Sequence, residues 1–111
     1  MDDYEEKRTA ERFPVSPNVT CSFASPVLED FGPVKIKNIS TSGVGLIVSQ
    51  VLAPGMLLAI KLVNPAKNFA KTALVRVIHV TQQAGDTYLV GGNLDTLLTY
   101  EELCHLVMET P

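Results

Sequence analysis

The sequence predicts a mainly β protein: a six-stranded antiparallel β-barrel followed by one C-terminal amphipathic helix. Three observations carry that prediction. Six runs place apolar side chains at alternate positions, the period-2 signature of a strand with one buried face. The breaks between them hold turn chemistry, not helical sequence: Gly32-Pro33, Pro54-Gly55, Asn64-Pro65 and Ala84-Gly85-Asp86. Near the C-terminus a capping box marks the start of a single helix. Six strands joined only by turns pair antiparallel, and closing the sheet removes its exposed edges.

The elements follow in order. Residues 1–13 are charged and poor in apolar side chains, and Pro14 and Pro17 then stop any helix, so this head reads as a flexible segment ahead of a domain spanning 14–111. Val19, Cys21 and Phe23 alternate with polar residues as the first strand. Val34 and Ile36 alternate with Lys35 and Lys37 as the second. Val44, Leu46 and Val48 mark the third, and Met56, Leu58, Ile60 and Leu62 the fourth, with Lys61 facing out. Thr72 to Thr81 is long and β-branched, and Tyr88 to Leu94 makes the sixth. Thr99 and Glu102 form the capping box, Leu98 and Leu103 a hydrophobic staple, and Leu103, Leu106 and Val107 an apolar stripe. That predicts a helix over about 99–108.

Composition narrows the function. The chain has 111 residues, 46% apolar and 19% charged, which suits one globular domain with its own core. Its longest apolar stretches, such as Met56–Ile60, fall far short of the ~20 residues that span a bilayer. The start is acidic where a signal peptide is basic and then apolar, so a cytoplasmic location is expected. Without helices between strands there is no Rossmann-type site, and without a GxxxxGK loop no P-loop. Cys21 and Cys104 lie far apart, with neither zinc-ligand nor disulfide-scaffold spacing. Nor do His79, His105, Cys21 and Cys104 form a nucleophile–base set: Cys104 and His105 point about 100° apart on a helix, and His79 reads as a barrel-face residue. No enzyme is expected. The net charge of −3 disfavours a phosphate backbone as partner, and 6% aromatics with no Trp disfavours stacking on single strands.

Two short motifs stand out. Of the three arginines, Arg8 and Arg12 fall within five residues of each other, in Arg8-Thr9-Ala10-Glu11-Arg12. A scarce planar donor concentrated in one place suits an anion or a guanine edge, although the surrounding acids also permit a plain solvated charge run. After the second strand comes Asn38-Ile39-Ser40-Thr41-Ser42-Gly43. Asn38, Ser40 and Ser42 stand at every second position, hence on one side of an extended segment, and Gly43 permits a positive φ or a close backbone approach. Amide, hydroxyls and free backbone N–H groups would suit a base edge or a phosphate oxygen; the ordinary alternative is a turn held by its own Ser and Asn.

RxxxR followed after 25 residues by NxSxxG, in a six-stranded barrel, resembles the PilZ domain, the bacterial receptor module for cyclic di-GMP. The likeness extends to Phe13-Pro14-Val15, the Leu-rich strand after Pro54-Gly55, Val75-Arg76-Val77, and Tyr88-Leu89-Val90-Gly91 before the terminal helix. Family members commonly carry Asp where Asn38 stands and Phe where Leu94 stands. The resemblance implies a stand-alone adaptor that binds cyclic di-GMP through Arg8, Arg12, Asn38, Ser40 and Gly43 and relays it to a protein partner, needing no cofactor or metal. PilZ-like adaptors that have lost the ligand are the alternative. The position just before RxxxR is associated in such proteins with a second ligand molecule; here it is Lys7, a cation. A head ordered by ligand is the switch this implies.

Overall fold

The computed structural model describes residues 12–24, 34–83 and 85–107. Lys7, Arg8, most of the head, the Gly32-Pro33 turn and Ala84 lie outside the described residues. The strands are β1 Thr20–Phe23, β2 Val34–Ile39, β3 Gly43–Val48, β4 Leu57–Asn64, β5 Phe69–Gln82 and β6 Tyr88–Leu94, followed by helix α1, Tyr100–Cys104. They close into a barrel in the order β1-β2-β3-β6-β5-β4, with every neighbouring pair antiparallel.

Alternation builds the core. Leu58, Ile60 and Leu62 of β4 are fully buried, as are Val44 and Leu46 of β3, Val75 of β5 and Val90 of β6. Each such side chain contributes roughly 2 kcal/mol through burial. Two bulges interrupt the alternation, one between Ile36 and Asn38 in β2, the other between Val77 and His79 in β5. An extra residue at each place reverses which face the following side chains take. Ile39 therefore turns inward and is fully buried, while Ile78, apolar but bulged, stays exposed.

Turns behave as their residues dictate. Asn64 accepts from the Ala66 backbone N–H and caps a single 3-10 turn, Pro65–Lys67, that ends on Asn68 in the left-handed region. Gly55 takes φ +93° in the Pro54-Gly55 turn, a conformation that costs glycine nothing.

The helix is shorter than the stripe suggests. Its capping box forms as expected, with Thr99 Oγ1 accepting from the Glu102 N–H and Glu102 Oε1 accepting from the Thr99 N–H. Leu98 and Leu103 are both buried. The helix ends at Cys104, not near 108, because Val107 pairs antiparallel with Val15 and the Ser16 N–H donates to the Leu106 carbonyl. That strand-like pairing replaces the last helical turn. The helix packs against the end of the barrel where the β2–β3 and β4–β5 turns lie, tied there by Leu98 N–H to Thr41 O and by Asn64 Nδ2 to His105 O at 2.7 Å.

Pairing also begins just ahead of residue 14. Phe13 and Ile39 exchange two backbone hydrogen bonds of 2.9 Å, so Phe13 already belongs to the barrel.

Candidate functional site

The Phe13–Ile39 pair fixes the backbone beside the end of β2, and this seats Arg12 on the outer face of β2 and β3. Arg12 Nη1 donates to Asn38 Oδ1 at 3.4 Å, its one hydrogen-bond partner among the described residues. Beneath the guanidinium the strand carries no side chains. A Cβ at Gly43 would meet Arg12 Nη2 at 2.8 Å; one at Gly45 would meet Asn38 Oδ1 at 2.7 Å and Arg12 Nη1 at 3.6 Å. Gly43 adopts no positive φ. Close approach, not backbone freedom, is what requires glycine here.

Asn38 reaches this face because of the bulge before it. Unbroken alternation from Val34 and Ile36 would aim it at the core. The bulge turns it outward, where it pairs in register with Gly45.

Ser40 does something different from the sequence expectation. It is 1% exposed, and its hydroxyl accepts from the backbone N–H groups of Ser42 (3.2 Å) and Gly43 (2.9 Å) while lying 3.4 Å from the Gly43 carbonyl. Asn38, Ser40 and Ser42 thus do not line one side of an extended segment, and two of the expected free N–H groups are consumed inside the turn. Ser40 shapes the β2–β3 turn that holds Gly43 under Arg12. Lys7 and Arg8, the other two expected contacts, lie outside the described residues.

Gly45 is the residue that sequence reasoning missed. A signal for it was present: it stands two positions after Gly43, on the same face of one strand, and two glycines so placed mark a bare patch of backbone.

The other reactive side chains are arranged for packing. Burial pushes the Cys21 thiol up to about 12, which keeps it protonated and unreactive at neutral pH. Cys21 lines an apolar cavity of about 430 Å³ between β1 and β2, with Val15, Pro17, Val19, Val34 and Ile36. These two strands share a single register pair among the described residues, Cys21 with Val34. His105 stacks on Phe69 with ring centroids 5.1 Å apart. Among the described residues no cluster of His, Cys, Asp or Glu could hold a metal, and no helix is long and apolar enough to cross a membrane.

The barrel thus lays an arginine and an asparagine over two glycines of one strand. The PilZ domain profile matches residues 6–97, and the chain belongs to that family. PilZ domains are in general cyclic di-GMP-binding and adaptor domains, not enzymes. No curated protein and no solved structure matches the chain.

Proposed function

We propose that this chain is a receptor for cyclic di-GMP that holds the ligand on the outer face of β2 and β3 and relays its presence to a protein partner. The observation that carries this reading is the Arg12 guanidinium, lying over Gly43 and Gly45 beside Asn38 with most of its five N–H donors unspent among the described residues. Cyclic di-GMP presents two guanines and two phosphates with charge −2. A planar guanidinium matches it by gripping guanine O6 and N7 as a fork, by bridging to a phosphate, or by stacking on the purine. The bond to Asn38 is long and easily surrendered, and a flat base can come close to Gly43 and Gly45 once Arg12 and Asn38, which bury them, swing onto the ligand. Asn38 adds an amide edge. Arg8, the first arginine of RxxxR, supplies the second fork, and Ser40 serves by holding the turn.

Lys7 adds a cation where a second ligand molecule would bring further negative charge. Calorimetry at low salt is then expected to give a stoichiometry near two, falling toward one in Lys7→Leu; a value near one in both removes this role for Lys7. Hydrogen exchange of residues 4–14 is expected to slow when ligand is added. Unchanged exchange with demonstrated binding removes the relay through this segment.

The central test is a titration of the chain with cyclic di-GMP, GTP, cyclic AMP and an oligonucleotide. Only the first is expected to bind, and the Arg8→Ala, Arg12→Ala double variant is expected to lose it. Full-strength binding by that double variant, or a preference for the oligonucleotide, overturns the assignment.

A further inference from the structure

The register across four strands sets up a row on the outside of the barrel. Asn38 of β2 pairs with Gly45 of β3, Gly45 with Gly91 of β6, and Gly91 with His79 of β5. Its two middle positions are glycines, so the row is a shelf with no side chains of its own, each glycine buried under the side chain that stands at its end. At one end Asn38, with Arg12, covers Gly45. At the other, the His79 imidazole covers Gly91: a Cβ there would collide with His79 Cε1 and meet Nε2 at 2.7 Å and Nδ1 at 2.9 Å.

Both end residues face outward through the same device. The β2 bulge turns Asn38 to the surface, and the β5 bulge does the same for His79, which unbroken alternation from Val75 and Val77 would point into the core. Bulges gather where a side chain must be re-aimed. Here two of them bring an amide and an imidazole onto one cross-strand row.

We infer that His79 is a further ligand-contact residue of this site, offering its ring to the second purine of a cyclic dinucleotide whose first base or phosphate is held at Arg12 and Asn38. This rests on the receptor reading above and deepens it. Neighbouring strands lie ~4.8 Å apart, so the backbones of Asn38 and His79 stand about 14 Å apart, and the ring leans back across Gly91 to shorten that span. One planar base gripped by the arginine leaves the other base of the macrocycle directed along the shelf. An exposed aromatic ring at the far end gives it a surface on which to stack. A mononucleotide has no second base to place there, so His79 would contribute to selectivity for the dinucleotide.

A ring over a strand glycine also shields the backbone. That role alone would lower the melting temperature of His79→Ala and leave ligand affinity unchanged.

The chain has two histidines, which makes the direct test simple. Ring proton and carbon signals of His79 are expected to move on titration with cyclic di-GMP, while those of His105, stacked on Phe69, stay in place. By calorimetry, His79→Ala is expected to bind about tenfold more weakly, the scale of one base–aromatic contact, and His79→Phe to recover most of the loss. Unmoved His79 signals, or parental affinity in His79→Ala while Arg12→Ala is impaired, overturn the His79 assignment alone. Undiminished binding by Arg12→Ala overturns it together with the receptor reading.

Discussion

Two polar clusters sit near the same end of the barrel, and they use their hydrogen-bonding capacity in opposite ways. Beneath the helix, Asn64 is 2% exposed and spends both ends of its amide, donating to the His105 carbonyl and accepting from Ala66. Lys71 donates to both oxygens of Glu102, whose Oε1 also accepts from Thr99. On the outer face, Arg12 gives one long bond to Asn38 over a floor without side chains. The first cluster is saturated and belongs to stability. The second keeps capacity in reserve, which is what a recognition surface needs. Fully partnered buried polar groups fix a fold, whereas exposed donors left to water can be handed to a ligand without loss of the fold.

The contrast predicts that binding and stability separate by mutation. Arg12→Ala removes a charge-assisted fork and is expected to weaken cyclic di-GMP binding by roughly a hundredfold, with the melting temperature almost unchanged. Arg12→Lys should rescue little, because an ammonium lacks the planar fork. Asn64→Ala is expected to do the reverse. Leaving the His105 carbonyl and the Ala66 N–H without their partner costs about 2 kcal/mol, seen as a melting temperature lower by on the order of 10 °C, with ligand affinity intact. If Arg12→Ala melted early, or Asn64→Ala bound poorly, the division between the clusters would fail.

Gly45→Ala sharpens the point with a smaller change. The added methyl would press on Asn38 Oδ1, the end of a side chain free to swing outward, so the fold should hold. Calorimetry is expected to show a several-fold loss of affinity without a loss of stability. The smallest effect belongs to Glu102. Its carboxyl is held below its ordinary 4.5, first by the Lys71 hydrogen bond and next by the Thr99 N–H. A depressed folded pKa gives stability that is present above the unfolded value and lost as pH falls through the folded one. Glu102→Gln should therefore melt slightly lower than the parent at neutral pH, and the two curves should converge as the pH falls below the ordinary carboxylate range.

Much of the barrel was legible because one face of each strand is buried, so that period 2 is enforced along nearly every run. Tyr88–Leu94 and the Thr99 capping box appear where the side chains place them. Alternation fails at Lys37 and Ile78, where an extra residue changes the phase, and neither residue announces a bulge by its own chemistry. That is why the placement of Asn38 and His79 on one cross-strand row could not be read from the alternation. Ser40 takes the ordinary alternative, a turn held by its own side chain, for a related reason. A serine in a tight turn has its own backbone N–H groups within reach, and those bonds compete with any made outward. The helix end was hidden because the partner of Val107 is Val15, far away in sequence.

That last pair also bears on the order of folding. Val15 meets Val107 only after nearly the whole chain has been laid down between them, and Phe13 needs a finished β2 edge on which to dock. Contacts that close such long loops form late, after the entropy of the intervening chain has been lost. The seat of Arg12, one residue from the Phe13–Ile39 pair, is therefore among the last features to assemble. A ligand held there couples to the completed barrel and to no partly folded form, so it slows unfolding far more than it speeds folding.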